Sequence, residues 1–192
     1  MSPYFNAALT GKFIEANGVV ILDDEDPKTF QLFNGWLYTQ VIFQDDELDF
    51  QNCFNPLLNL YEFGEKRLIS TLQNAVIDTM IRVLSNSKTS PGANQIREIW
   101  ERTTESSKLR KVMIDEFVYR TELKGIFDNK ADTYPPSFWT GMAKEYHEVL
   151  GGPKEEDVYR LRKFRMFDIW KTRCARYHIH EPTDSICRTV PK

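Results

Sequence analysis

Between Phe30 and Tyr38, six large apolar or aromatic side chains occupy nine positions, directly behind the acidic run Asp23-Asp24-Glu25-Asp26 and Pro27. A chain carrying such a segment has to hide it, so this stretch limits the possible folds more than any other. Asp26 is a residue type favoured as a helix N-cap, and proline is tolerated in the first turn. The carboxylates at 23–26 face the positive end of the helix dipole. A helix is therefore expected from Pro27 to Tyr38. Phe30, Phe33 and Leu37 fall at i, i+3, i+7, with Leu32 and Trp36 on a neighbouring stripe. A helix apolar around most of its circumference is normally buried, so a central core helix is expected.

A core of that kind needs a chain able to enclose it. At 192 residues with 41% hydrophobic and 13% aromatic content, the chain suffices for one medium domain or two small ones. No stretch approaches the ~18–20 apolar residues needed to span a bilayer, and the start lacks the basic and apolar pattern of a signal peptide. Three cysteines do not make a disulfide framework, so a reducing compartment, cytosol or nucleus, is expected. Charge is unevenly spread. Residues 1–86 hold 5 Lys and Arg against 12 Asp and Glu, a net of −7, whereas residues 87–192 hold 20 against 16, a net of +4. This marks two regions of different character.

Periodicity fills in the rest. A short helix is expected over residues 2–13, from Phe5, Leu9 and Phe13, and the β-branched run Val19–Leu22 reads as a short strand. Val41–Phe43 reads as a second strand. Phe54, Leu57, Leu58 and Tyr61 mark an amphipathic helix, which Gly64 is expected to separate from a helix carrying Ile69, Leu72, Val76, Met80 and Val83. The polar stretch 85–92, closed by Pro91-Gly92, is the clearest boundary. Three more helices follow, carrying Ile96, Ile99 and Trp100; then Leu109, Val112, Met113 and Phe117; then Phe138, Met142, Tyr146 and Val149. Gly151-Gly152-Pro153 ends the third, and a basic helix is expected over about 155–174. The expected fold is mainly α with a small β component (α+β). Its organisation is a first domain over 1–86, a linker over 87–92, a helical extension over 93–174 and a Cys/His-containing tail over 175–192.

Two short strands need partners to form a sheet, and the sequence supplies none. Ser2-Pro3-Tyr4-Phe5, Phe13-Ile14-Glu15-Ala16, Val19–Leu22, Asp26-Pro27 and Phe30–Tyr38, followed by Leu72-Gln73-Asn74 and Ile77-Asp78, occur in the order of a BTB/POZ domain. Residues 2–84 resemble the middle and end of that domain in the form common in fungal BTB proteins. Relative to it, the strand hairpin and helix that precede the Ser-Pro-Tyr-Phe element are missing, so an N-terminally truncated BTB/POZ fold is expected. Those missing elements supply much of the family's homodimer surface. A monomer or loose associate is therefore expected, with apolar surface exposed around Phe5, Val20 and Phe33. The resemblance implies a non-enzymatic protein–protein interaction module, for instance a substrate adaptor for a cullin-type ubiquitin ligase. In the family, cullin contact uses the loop after the central helix, here Phe43-Gln44-Asp45, so Phe43 and Asp45 are its candidate partner-binding residues. A second class of function is a transcription-linked protein whose basic extension meets DNA. A third possibility is a non-functional truncated gene product.

No catalytic set competes with these readings. Gly151-Gly152 precedes proline and lacks the lysine of a phosphate loop, and His147 stands alone on its helix. The acids at 23–26 and 45–47 are explained by capping and turns, and Cys53 by packing at the start of an apolar helix. Acids Glu155, Glu156, Asp157 and Asp168 dilute the basic helix, so nucleic acid is not the expected partner.

The tail differs. Cys174, His178, His180 and Cys187 follow the pattern C-x3-H-x-H-x6-C. Zinc takes four ligands in a tetrahedron from thiolate and imidazole, and Cys174 and His178 would share one helix face. Pro182–Ser185 can turn the chain to bring Cys187 back. The spacing is not that of a standard zinc finger. The alternatives are a labile Cys174–Cys187 pair or a tail without a ligand.

Overall fold

The computed structural model describes residues 3–10, 19–87, 90–120, 131–150 and 173–180. The chain divides into two compact units, Met1–Asn86 and Ser87–Lys192. The elements in order are α1 (Pro3–Thr10), α2 (Pro27–Thr39), a 3-10 turn (Asp45–Glu47), α3 (Phe50–Lys66), α4 (Ser70–Asn86), α5 (Ala93–Arg102), α6 (Lys108–Tyr119), a 3-10 turn (Ala131–Thr133), α7 (Pro136–Leu150) and α8 (Arg173–Tyr177).

The expected β component is not formed. Among the described residues every regular element is helical, so the chain is helical and not α+β. The physical reason is visible at both segments. Gln40 ends α2 in the left-handed region (φ 59°), and its N–H returns to the Trp36 carbonyl. The Thr39 hydroxyl then accepts the Val41 N–H at 3.2 Å and contacts the Val41 carbonyl at 3.0 Å. The backbone of Val41 is thus committed to the helix end and offers no ladder. Val19 and Ile21 are exposed, with no neighbouring strand among the described residues. The continuation of the first helix to Phe13, and the basic helix short of Arg173, lie outside the described residues.

Unit 1 is organised by α3 against α4. The expected apolar stripes are its core: Phe54, Leu57, Leu58 and Tyr61 of α3, and Leu72, Val76, Met80 and Val83 of α4, are all buried. Asp49 caps α3 by accepting the Asn52 N–H at 3.0 Å. Gly64 does not separate the two helices; it lies inside α3. A Cβ there would stand 3.1 Å from Gln73 Cγ and 3.4 Å from Leu72 Cδ2, so this glycine serves the close approach of α4. The reversal occurs at Leu68 (φ 52°), with the Ile69 N–H closing on the Gly64 carbonyl at 2.8 Å.

Helix α2 packs on α3 through Phe33, whose ring lies 4.9 Å from that of Phe63, and through Trp36. It is buried on one side only, not all round. Phe33, Trp36 and Thr29 are covered, while Phe30, Leu37 and Tyr38 are 42%, 51% and 82% exposed. Asp26 has the extended backbone of an N-cap but makes no side-chain cap bond. The neighbouring acids instead hold a buried cation: Arg67 donates to Glu25 at 2.7 Å and to Asp24 at 3.4 Å, with its guanidinium 4.3 Å from the Phe63 ring centre.

In unit 2, Ile96 and Ile99 of α5, Leu109, Val112, Met113 and Phe117 of α6, and Phe138 and Met142 of α7 are buried. Phe138 is the hub of an aromatic cluster, 5.0 Å from Phe117, 5.3 Å from Tyr134 and 5.5 Å from Trp100 between ring centres. Ser107 caps α6 through the Leu109 N–H.

Deleting a covered ring and deleting a half-covered one should separate the two sides of α2. Phe33→Ala is expected to lower stability by about 3–5 kcal/mol, and Phe30→Ala by much less. Urea unfolding of the two variants checks this; equal losses would mean that Phe30 is buried too.

Candidate metal centre

A helix of five residues has no stability of its own in water. α8 is held by charge. From α6, Asp115 offers a buried carboxylate, and from α7, Glu145 offers another. Arg176 meets both. Its Nε donates to Asp115 Oδ2 at 2.6 Å, and one Nη donates to Asp115 Oδ1 at 2.8 Å and to Glu145 Oε1 at 2.6 Å. The forked contact on Asp115 is the geometry for which arginine is better suited than lysine. Tyr177 donates its hydroxyl to Asp115 at 2.5 Å, Tyr119 donates to Glu145 at 2.6 Å, and Lys111 pairs with both acids. Two acids and two bases thus balance in a mostly buried cluster.

The electrostatics follow from that balance. Burial raises the Tyr177 pKa, and the Asp115 charge and hydrogen bond raise it further, so the hydroxyl remains a donor. Burial and the Glu145 hydrogen bond do the same for Tyr119. For Glu145, burial by itself would raise the pKa; the hydrogen bonds from Lys111 and Tyr119 and the Arg176 charge outweigh it and hold the carboxyl below its usual 4.5.

The opposite side of α8 and the first and third residues beyond the helix carry the candidate ligands. The His178 N–H closes on the Cys174 carbonyl at 3.1 Å, which sets both side chains on one face, as the four-residue step implies. The chain then leaves the helix, and His180 comes back toward Cys174: Sγ and Nε2 are 3.3 Å apart. The donor atoms of Cys174, His178 and His180 all lie within 4.8 Å of one another. In a tetrahedral zinc site, bond lengths of ~2.3 Å to sulfur and ~2.0 Å to nitrogen put such atoms about 3.5 Å apart. His178 is buried, Cys174 half-buried and His180 exposed. A cluster of one thiol and two imidazoles can hold a metal ion. It provides three ligands of the soft and borderline kind and leaves further coordination to another group.

The structure therefore brings Cys174, His178 and His180 together, while Cys187 lies outside the described residues. Of the candidate partner-binding residues, Phe43 is half-buried and Asp45 is exposed at the start of the first 3-10 turn, paired with Arg82 of α4. His147 is exposed on α7, and Cys53 is a buried thiol that donates to the Glu47 carbonyl at 3.3 Å. The supporting residues Asp115, Glu145, Tyr119 and Lys111 were not singled out by sequence. One signal was available: Asp115 and Glu116 interrupt the apolar positions of α6 and are both buried. No helix among the described residues is long and apolar enough to cross a membrane. No known protein family, curated protein or solved structure matches the chain.

Because its pKa is lowered on folding, Glu145 stabilises the fold above its unfolded pKa near 4.5, and that contribution disappears as pH falls through the lower folded value. Glu145→Gln should therefore melt below the wild type at pH 7, and the gap should shrink steadily below pH ~4.5. Thermal melts across that range measure the gap; a constant difference would contradict an ionised Glu145.

Proposed function

We propose that this chain is a non-enzymatic protein-interaction module of BTB/POZ type, and that its C-terminal Cys/His cluster holds zinc. The single observation that carries the interaction reading is the outer side of α2. Phe30 and Leu37 lie one behind the other at i and i+7, each about half exposed, with the largely exposed Tyr38 beside them; Phe30 keeps its inner edge against Phe33 and Phe63. Exposed aromatic and aliphatic side chains gathered on one element are a usual mark of a protein-binding surface. Gly35 supports this. It sits inside α2, is exposed, and a Cβ there would meet nothing within 4 Å. A mid-helix glycine costs about 1 kcal/mol relative to alanine, and no intramolecular contact repays it. A partner approaching the backbone at Gly35 accounts for it.

The occupant that fits is an amphipathic helix of another protein with a basic flank. Its apolar face would meet Phe30, Leu37 and Tyr38, and its cations would meet the exposed Asp23 and Asp26 at the start of α2. By resemblance, the partner is a cullin-type scaffold, with Phe43 and Asp45 in the loop that follows α2. Capture of such a scaffold by the full chain tests this. Leu37→Glu and Tyr38→Glu are expected to weaken capture at least tenfold with melting nearly unchanged. Gly35→Ala is expected to raise stability by about 0.5–1 kcal/mol while weakening capture. Undiminished capture by Leu37→Glu would remove α2 as the contact; failure of the wild type to bind any cullin scaffold would remove the ligase role.

Zinc is the metal that suits a thiolate and two imidazoles in a reducing compartment, with Cys187 or water completing the tetrahedron. Metal analysis of protein purified without a histidine tag should find about one zinc per chain. Less than a tenth of that, unchanged by Cys174→Ser, would end the zinc reading.

A further inference from the structure

We infer that Arg176 is the positioning residue of the metal centre: the Asp115–Glu145 cage that grips it sets the separation of Cys174 and the two histidines, so metal affinity is governed from the side of α8 that carries no ligand. The inference rests on the zinc reading above and adds to it the group that makes the site tight.

The geometry of α8 motivates it. At roughly 100° per residue, Cys174 and His178 point within about 40° of each other, whereas Arg176 points about 200° from Cys174. Gripping Arg176 therefore turns the ligand face in a fixed direction. One carboxylate would leave the guanidinium free to swing. Here two carboxylates from different helices take three hydrogen bonds of 2.6–2.8 Å from it, which fixes both its position and its roll. The end of the helix is pinned as well, since Lys108 Nζ reaches the Arg176 carbonyl at 3.5 Å and Tyr177 donates to Asp115. The next residue is His178. The outcome is a Cys174 Sγ to His180 Nε2 distance of 3.3 Å, close to the ~3.5 Å a tetrahedral ion imposes. A site already near its bound geometry loses little ordering entropy on binding, and that saving appears as affinity. The charge balance is consistent with this division of labour. Lys111 and Arg176 neutralise Asp115 and Glu145, so the cage acts as an anchor and the thiolate of Cys174 is left to meet the metal.

The test uses the full, untagged, reduced chain after removal of metal. Zinc affinity is read by competition with a chromophoric chelator, and ligand geometry by the visible and thiolate charge-transfer bands of bound cobalt(II). The wild type should bind about one ion with tetrahedral cobalt bands, and Cys174→Ser should lose the thiolate band. Arg176→Met should bind about 10- to 100-fold more weakly, with altered cobalt bands although every ligand is intact. Arg176→Lys, which keeps the charge but not the fork, should fall between them. Because Arg176→Met leaves Lys111 as the one cation against two buried carboxylates, the triple variant Asp115→Asn, Glu145→Gln, Arg176→Met relieves that charge. It should fold, as circular dichroism reports, and show the same loss of affinity. Wild-type affinity and cobalt bands in the folded triple variant would overturn the positioning role and leave the zinc reading intact. A wild type that binds no zinc, or binds it equally well as Cys174→Ser, would overturn the zinc reading and this inference with it.

Discussion

A guanidinium drawn out of water and paired with carboxylates, buried at Arg67 and 24% exposed at Arg176, is the constraint on which both units depend. Taking an ion out of water costs several kcal/mol, and only close counter-charges and hydrogen bonds offset it. Unit 1 meets this at Arg67, which caps α3 and is met by Glu25 and Asp24 from more than 40 residues earlier in the chain. Unit 2 meets it at Arg176, whose acids lie 61 and 31 residues away. Each arginine stands at or near the end of a helix, where a cation also suits the dipole, and each has an aromatic neighbour, Phe63 or Tyr177. In both cases the pairing seats a segment with little apolar area of its own: the turn that leads into α2, and the five residues of α8. Apolar packing builds the helical cores, and the two arginines decide where the lightly packed pieces attach.

This division explains what was legible in the sequence. The stripes of α3 to α7 were readable because a buried helix face repeats every three to four residues, and Leu57, Met80, Ile99, Phe117 and Phe138 obey that period. Ion pairs have no period. The acids at 23–26 read as a cap for α2, a local role, whereas Glu25 and Asp24 are committed to Arg67. The strands failed for a related reason. Val19–Leu22 and Val41–Phe43 have β-branched composition, but composition describes fitness for a sheet and not the presence of partner strands. Gly64 was misread because a glycine that breaks a helix and one that admits a neighbouring helix look alike in one dimension. At the Cys/His cluster, the step from Cys174 to His178 was readable as one helical turn. The return of His180 to Cys174 and the cage beneath Arg176 were not, since they are set by Asp115 and Glu145 on two other helices.

The one-sided burial of α2 sets the strength the proposed contact would have. Full burial of a large apolar side chain is worth roughly 1.5–3 kcal/mol. Phe30, Leu37 and Tyr38, with the exposed Val19, Ile21 and Val41, still show between two-fifths and four-fifths of their surface. Covering all of it would release about 7 kcal/mol on that scale. Association costs an estimated 4–15 kcal/mol in lost freedom before any gain appears. Apolar contact alone therefore gives at best a weak and exchangeable complex. What raises it must come from charge and from backbone approach, the roles that Asp23, Asp26 and Gly35 have in the proposed interface. Because the acids are exposed, their contribution acts chiefly on the rate of encounter and fades with salt, while the apolar side chains govern how long the complex lasts. An interface of that composition selects its partner by steering and releases it readily, which suits a module that exchanges partners better than one that forms a permanent assembly.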